Sequence, residues 1–115
     1  MTLPVLTLHL AQSKLAAYCA QKIPAEIRDR VRLEFEVEGE RLSLIESRPH
    51  IRNHENWTQL PVAQFRYNQG SGTWSLFCPH LGNPEVWRPY PAKPQRDLGE
   101  LIKLLDEDDT GAFWG

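Results

Sequence analysis

The chain of 115 residues lacks most of the features that would identify a chemistry directly. It has two cysteines, one methionine and a net charge of −2. Two cysteines are too few for a disulfide framework, so we expect reduced thiols and a cytoplasmic protein. The small net charge gives no general attraction for nucleic acid or for a membrane surface. No apolar run approaches the roughly 20 residues of a membrane-spanning helix, so we expect no membrane association.

Common catalytic and targeting signals are also missing. The sequence contains no phosphate-binding glycine loop, no nucleophile elbow and no paired CxxC motif. The first 20 residues have no basic segment, and polar residues from His9 to Lys14 interrupt their apolar run. This pattern is typical of a helix within a domain and not of a secretory signal. We therefore expect no cofactor and no export signal.

The size and periodicity of the chain predict one α+β domain over residues 1–115, large enough to bury a core without disulfides or a metal. Apolar residues recur at three- and four-residue spacing from about Thr7 to Lys22, which predicts an amphipathic helix ended by Pro24. A second helix is predicted to begin after Asp97, which caps it. The closing GAFWG segment is expected to fold back on the sheet.

Alternating apolar and polar residues predict the strands. The segment Val31–Pro49 has the period of a β-hairpin, with Gly39 in its turn. Three further strands are predicted at Val62–Tyr67, Thr73–Cys78 and Val86–Tyr90, and the prolines of the last favour an edge position. Residues 49–61 are predicted to be a loop. Short connections then give an antiparallel meander sheet of about five strands, with the N-terminal and C-terminal helices packed on one face.

Glu46 and Arg48 stand at hairpin positions where apolar residues are expected. A two-residue turn at Glu38 and Gly39 pairs Val31 with Glu46, whereas a turn one residue later pairs Leu33 with Glu46; both registers place Glu46 and Arg48 on the apolar face. A buried carboxylate is costly unless it is paired. The first interpretation is therefore a structural ion pair of Glu46 with Arg48 or with Arg28.

An alternative interpretation of the same residues is a metal-dependent phosphodiesterase. An acid-x-base pair on the second hairpin strand resembles the metal-binding strand of restriction-endonuclease-like nucleases. Glu46 and either Asp29 or Glu26 would then bind Mg²⁺, and Arg48 would steady a phosphate. This reading makes the protein an enzyme.

Four zinc-capable side chains occur in two predicted loops: His50, His54, Cys78 and His80. Zinc needs them to converge in space, and the HxxxH spacing brings two histidines together only on a helix. Since Pro49 and Asn53 favour a loop, we expect exposed histidines and no metal site.

The face of the predicted sheet that points away from the helices is basic and aromatic. It is expected to carry Arg30, Arg32, Gln64, Arg66, Ser75 and Phe77, with Trp87 or Arg88 beside them. Such a surface is suited to stacking unpaired bases and neutralising phosphates. Three glutamates at 34, 36 and 38 share it and favour a solvated ladder. The same aromatic and arginine side chains suit a protein interface or a homodimer.

Several segments together resemble a bacterial family catalogued as domain of unknown function 3024. They are IESRP at 45–49, VAQFRY at 62–67, the tryptophan of TWSLF, Trp87 followed by Tyr90, and the ending DEDDTGAFWG. The resemblance covers roughly residues 15–115. It implies a small, stand-alone bacterial protein and no particular activity. From the residues we expect a non-enzymatic binding or protein-interaction module that uses the exposed sheet face and the adjacent loop at 49–61. Nucleic-acid binding is the alternative, and a nuclease-like phosphodiesterase is a further one.

Overall fold

The computed structural model describes residues 3–50, 52, 55–80 and 82–114, and of residues 84 and 85 the backbone only. In chain order its elements are α1 (Val5–Lys22), a 3₁₀ turn (Ala25–Ile27), β1 (Arg32–Glu38), β2 (Arg41–Pro49), β3 (Trp57–Asn68), β4 (Thr73–His80), β5 (Asn83–Pro89) and α2 (Leu98–Glu107). The strands form one antiparallel sheet in the order β1-β2-β3-β4-β5. The predicted α+β meander with a helix at each end is confirmed.

Helix α1 begins two residues before the predicted start. Ala11, Leu15 and Tyr18 are its buried residues and repeat at four- and three-residue spacing, which gives the helix one apolar stripe. Ile23 has an extended backbone, with φ −116° and ψ 99°. A proline disfavours helical geometry in the residue before it, so Pro24 ends the helix where the sequence indicates.

The β1–β2 hairpin adopts the second of the two predicted registers. Glu38 pairs with Arg41 across a turn of Gly39 and Glu40, and Leu33 pairs with Glu46. Gly39 has φ 60°, a conformation that glycine adopts without steric cost. The hairpin therefore places Glu46 on the same face as the buried Leu42 and Leu44.

The predicted loop over residues 49–61 is wrong at its second half, because β3 already starts at Trp57. Pro61 signals a loop in the sequence but lies inside this central strand. The register with β2 shifts there: Leu44 pairs with Ala63 and Ile45 with Pro61, so Val62 has no partner. A bulge of this kind admits a proline that cannot donate a ladder hydrogen bond.

Helix α2 is capped as predicted. The Asp97 carboxylate accepts a hydrogen bond from Gly99 N and pairs with Lys14 of α1. At the other end Asp108 has φ 46° and accepts hydrogen bonds from Phe113 N at 3.1 Å and Trp114 N at 2.8 Å. These bonds turn the chain back, so that Phe113 is buried against the ring of Tyr90, 4.9 Å away between ring centres.

The core lies between the two helices and one face of the sheet. Its largest fully buried side chains are Leu15 of α1, Leu101 and Leu105 of α2, and Leu42, Leu44 and Phe65 of the sheet. Strands β1 and β5 are the two edges of the sheet. The edge position of β5 is the one that its prolines predict. Within the described residues no helix is long and apolar enough to cross a membrane.

Neither α1 nor α2 lies on the other face of the sheet. We call it the exposed sheet face. The strand registers place on it, among others, Arg32, Glu34, Glu36, Glu38, Arg41, Ser43, Ile45, Ser47, Trp57, Gln59, Pro61, Gln64, Arg66, Ser75, Phe77 and Trp87.

The Asp97 cap predicts a pH dependence of stability. Its hydrogen bonds, first from Lys14 and then from Gly99 N, lower the pKa of Asp97 below the ordinary 3.8. A carboxyl group whose pKa is lower in the folded than in the unfolded protein stabilises the fold at any pH above its unfolded-state pKa. This contribution is lost as the pH falls through its folded-state pKa. Asp97→Asn keeps the capping oxygen but removes the charge. We expect a lower melting temperature than native at pH 7 and a difference that shrinks as the pH falls below 3.8; a difference that keeps its size as the pH falls contradicts the charge-based account.

Candidate functional site: the exposed sheet face

The centre of the exposed sheet face contains a buried amide although no helix covers it. Gln64 is only 5% exposed. Its Nε2 donates to Ser43 Oγ at 2.9 Å, and its Oε1 accepts from Arg66 Nε at 2.7 Å. Both ends of the side chain are thus hydrogen-bonded, which offsets the cost of removing it from water.

Arg66 is fixed by two neighbours on this face. Its guanidinium carbon lies 3.8 Å from the centre of the Phe77 ring, and its Nε is bonded to Gln64. Burial lowers the pKa of Arg66, and the adjacent Arg41 lowers it further. An arginine on an aromatic ring gains about 0.5–2 kcal/mol from the cation–π contact, depending on how far it is desolvated. These two contacts restrict the orientation of the guanidinium.

Arg41 lies directly opposite Arg66 in the register and has Glu38 on its other side. In the part of the chain that the structure describes, neither arginine forms an ion pair with a carboxylate. Like charges opposite each other on neighbouring strands are unfavourable. A carboxylate or phosphate that bound between the two arginines would reduce this repulsion.

A second arginine–aromatic stack lies at the other end of the face. The guanidinium carbon of Arg32 is 3.9 Å from the centre of the Trp57 ring, and Arg32 Nε donates to the carbonyl of Arg28. Ser47, which pairs with Arg32, is only 6% exposed. The two stacks therefore order the side chains at both ends of this face.

The structure brings together most, but not all, of the residues expected on this face. Arg32, Arg66 and Phe77 lie on it, and Trp87 joins them because it pairs with Pro79. Arg88 instead pairs with Cys78 and points to the helix-bearing side. Arg30 lies in the turn before β1, outside the sheet, so its predicted place on the face is wrong.

The sequence did not predict that Arg41 and Trp57 lie on this face. Arg41 gains its place opposite Arg66 only from the β2–β3 register. Trp57 belongs to the stack with Arg32 but lies in the segment predicted as a loop. The two-residue spacing of Trp57, Gln59 and Pro61 is that of a strand with these side chains on one face. Pro61 instead favoured the prediction of a loop.

Glu46 and Arg48 form the ion pair that the first interpretation describes. Arg48 Nε donates to Glu46 Oε1 at 2.7 Å, and the side chains are 62% and 15% exposed respectively. Arg28, the other proposed partner, donates to the carbonyl of Ile23. Asp29, the proposed second metal ligand, is exposed in the turn before β1. The Glu46 carboxylate is thus already engaged at the rim of the core.

The zinc-capable residues have separate surroundings. His50 Nδ1 accepts from Arg52 N, and His80 Nδ1 accepts from Gly82 N. Cys78 packs against the core, and His54 lies outside the described residues. Among described residues, no group of three or more histidine, cysteine, aspartate or glutamate side chains converges.

These features define a small α+β domain with one helix-covered and one exposed sheet face. The chain belongs to the family described as a domain of unknown function, DUF3024, whose model matches residues 3–115. Neither a curated protein nor a solved structure shows a significant match to it.

The structural role of Glu46 predicts a measurable coupling with Arg48. We expect Glu46→Gln and Arg48→Gln each to lower the free energy of unfolding, with a coupling of about 0.2–1 kcal/mol in the double-mutant cycle, since Arg48 is largely exposed. Chemical denaturation of the four proteins measures it. Strict additivity contradicts the ion pair. A melting temperature that Mg²⁺ raises in the native protein but not in Glu46→Gln supports the metal-site alternative instead.

Proposed function

We propose that the protein is a non-enzymatic binding module that holds a partner protein on the exposed sheet face. The observation that carries this proposal is the pair of arginine–aromatic stacks, Arg32 on Trp57 and Arg66 on Phe77, on a sheet surface without a covering helix. Arginine and tryptophan are among the residues that contribute most to binding energy at protein interfaces.

The ordering of these side chains supports the same conclusion. A free arginine loses rotamer freedom when a partner binds it. Arg66 has already lost much of that freedom to Gln64 and Phe77, so less remains to be lost on association. The buried Gln64 is the positioning residue, because it bonds both Ser43 and Arg66.

The charge of the face favours a protein over a nucleic acid. Its three arginines, Arg32, Arg41 and Arg66, are balanced by three glutamates, Glu34, Glu36 and Glu38. Nucleic-acid binding depends on the release of counterions by an excess of positive charge along the phosphate chain. A face with equal numbers of both signs suits a partner that also carries both signs.

The Glu46 ion pair and the thiols complete the proposal. The ion pair between the Glu46 carboxylate and Arg48 supports a structural and not a catalytic role for Glu46. Both Cys19 and Cys78 are free, which fits a reducing compartment. The proposal accordingly assigns the module to the bacterial cytoplasm.

Photo-crosslinking tests the proposal in living cells. A photoreactive amino acid replaces Ser75, which pairs with Arg66 in the sheet. As a control, the same amino acid replaces Lys103 on the exposed side of α2. We expect protein adducts from position 75 and not from position 103, with Arg66→Ala lowering their yield about tenfold. Arg88→Ala is the matched variant on the opposite side of the sheet and should leave the yield unchanged. Absence of adducts at position 75 overturns the proposal.

The nucleic-acid alternative has its own measurement. Labelled single-stranded and duplex DNA and RNA are titrated with nucleic-acid-free protein at low and moderate salt, with and without Mg²⁺. We expect no binding below about 100 µM at moderate salt, because the face has no net positive charge. Salt-sensitive binding that Arg66→Ala weakens would establish nucleic acid as the ligand instead, and Mg²⁺-dependent cleavage would point to Glu46.

A further inference from the structure

A groove of about 440 Å³ lies between α1 and β1 at the edge of the sheet, and it shares Arg32 and Glu34 with the exposed sheet face. Its helix side is formed by Ala16, Cys19, Ala20 and Ile23, which repeat at three- and four-residue spacing and so share one side of α1. Its strand side is formed by the four consecutive residues 32–35. Since successive side chains on a strand point to opposite faces, four consecutive lining residues mean that the backbone edge of β1 borders the groove.

The position of β1 in the sheet gives this edge its chemistry. It is an edge strand, paired only with β2 within the described residues. The outer side of such a strand presents unpaired backbone N–H and C=O groups, which accept an additional strand. The alanines at 16 and 20 are small, so the helix leaves room beside this edge.

The two faces of β1 determine which strand would fit. Toward the groove and the core it presents Leu33, Phe35 and Val37, and Val37 is 41% exposed. Cys19 lines the groove with an uncharged thiol. Its burial, and to a smaller extent the charge of Glu34, raise the pKa of this thiol to about 11. An incoming strand therefore needs apolar side chains at alternate positions to fill this side.

The other face of β1 supplies charge. Glu34, Glu36 and Glu38 lie on it and alternate along the strand with the apolar residues, and within the described residues none of the three forms an ion pair, although Arg41 lies opposite Glu38. Directly opposed charges of unlike sign stabilise neighbouring strands, and like charges destabilise them. The added strand should therefore carry lysine or arginine between its apolar residues. A second copy of β1 is unsuited, because antiparallel self-pairing about Phe35 sets Glu34 against Glu36.

We propose that α1 and β1 form a receptor for an extended, basic amphipathic segment of a partner protein, which joins the sheet as a sixth strand beside β1. This goes beyond the proposed function, because apart from Arg32 and Glu34 the groove is lined by other residues, and it can bind its segment whether or not the exposed sheet face has a partner. In an antiparallel arrangement the carboxyl end of the segment lies beside Arg28 and Arg32, so an acidic last residue completes the match.

The test uses a fluorescent seven-residue peptide in which lysine and valine alternate three times and glutamate comes last. The control peptide has the same composition, with its three lysines and its three valines in consecutive blocks. We expect the alternating peptide to bind with a Kd on the order of 10–100 µM by anisotropy, and the block peptide at least about tenfold more weakly.

Three variants locate the binding. Ala20→Phe fills the groove from an exposed helix position and should weaken binding at least about tenfold. Glu36→Lys should weaken it about three- to tenfold by charge reversal. Glu107→Lys makes the same charge change on exposed α2 and should have no effect; circular dichroism checks that all variants are folded.

Amide exchange separates the groove from other surfaces. Bound peptide should slow hydrogen exchange of β1 amides on the edge away from β2, while α2 amides are unchanged. Equal binding of the two peptides, no binding at 1 mM, or binding unaffected by Ala20→Phe would each overturn the proposal. These results are independent of the crosslinks from position 75, so the two proposals can fail separately.

Discussion

The constraint on which this structure depends is that two helices must cover a five-stranded sheet. Each strand pairs antiparallel with the next, and within the described residues the two α-helices are α1, before β1, and α2, after β5. Leu15 of α1 and Leu101 of α2 meet on one side of the sheet and bury it. The opposite side must then be compatible with water while keeping its strands in register. The exposed sheet face and the open edge of β1 both follow from this arrangement.

The exposed sheet face is ordered by its own side chains and not by a covering layer. Burying an amide such as that of Gln64 without partners would cost about 1–3 kcal/mol, so its bonds to Ser43 and Arg66 are a condition for its burial. Phe77 in turn provides the surface on which Arg66 lies. The result is a polar network that restricts the orientation of a charged group. This network is the basis of the proposal that the exposed sheet face binds a partner.

Local sequence patterns predicted the parts of the fold that depend on near neighbours. The three- and four-residue spacing in α1, the alternation in β1 and the Asp97 cap were sufficient because each reports on residues within a few positions. Pro61 was misleading, because the bulge that accommodates it depends on the pairing of β3 with β2. The same pairing brings Arg41 beside Arg66. The groove also escaped prediction, since it depends on how closely α1 approaches the edge of the sheet.

The two edges of the sheet differ in a way that links the two surfaces. Edge strand β5 contains Pro89, which cannot donate a hydrogen bond to a further strand, whereas β1 is protected mainly by Glu34, Glu36 and Glu38. A basic strand added to β1 would neutralise these glutamates. The exposed sheet face would then be left with three arginines and a net positive charge, which favours an acidic partner. Because such coupling is reciprocal, an acidic partner on that face would strengthen binding of the basic strand by the same factor.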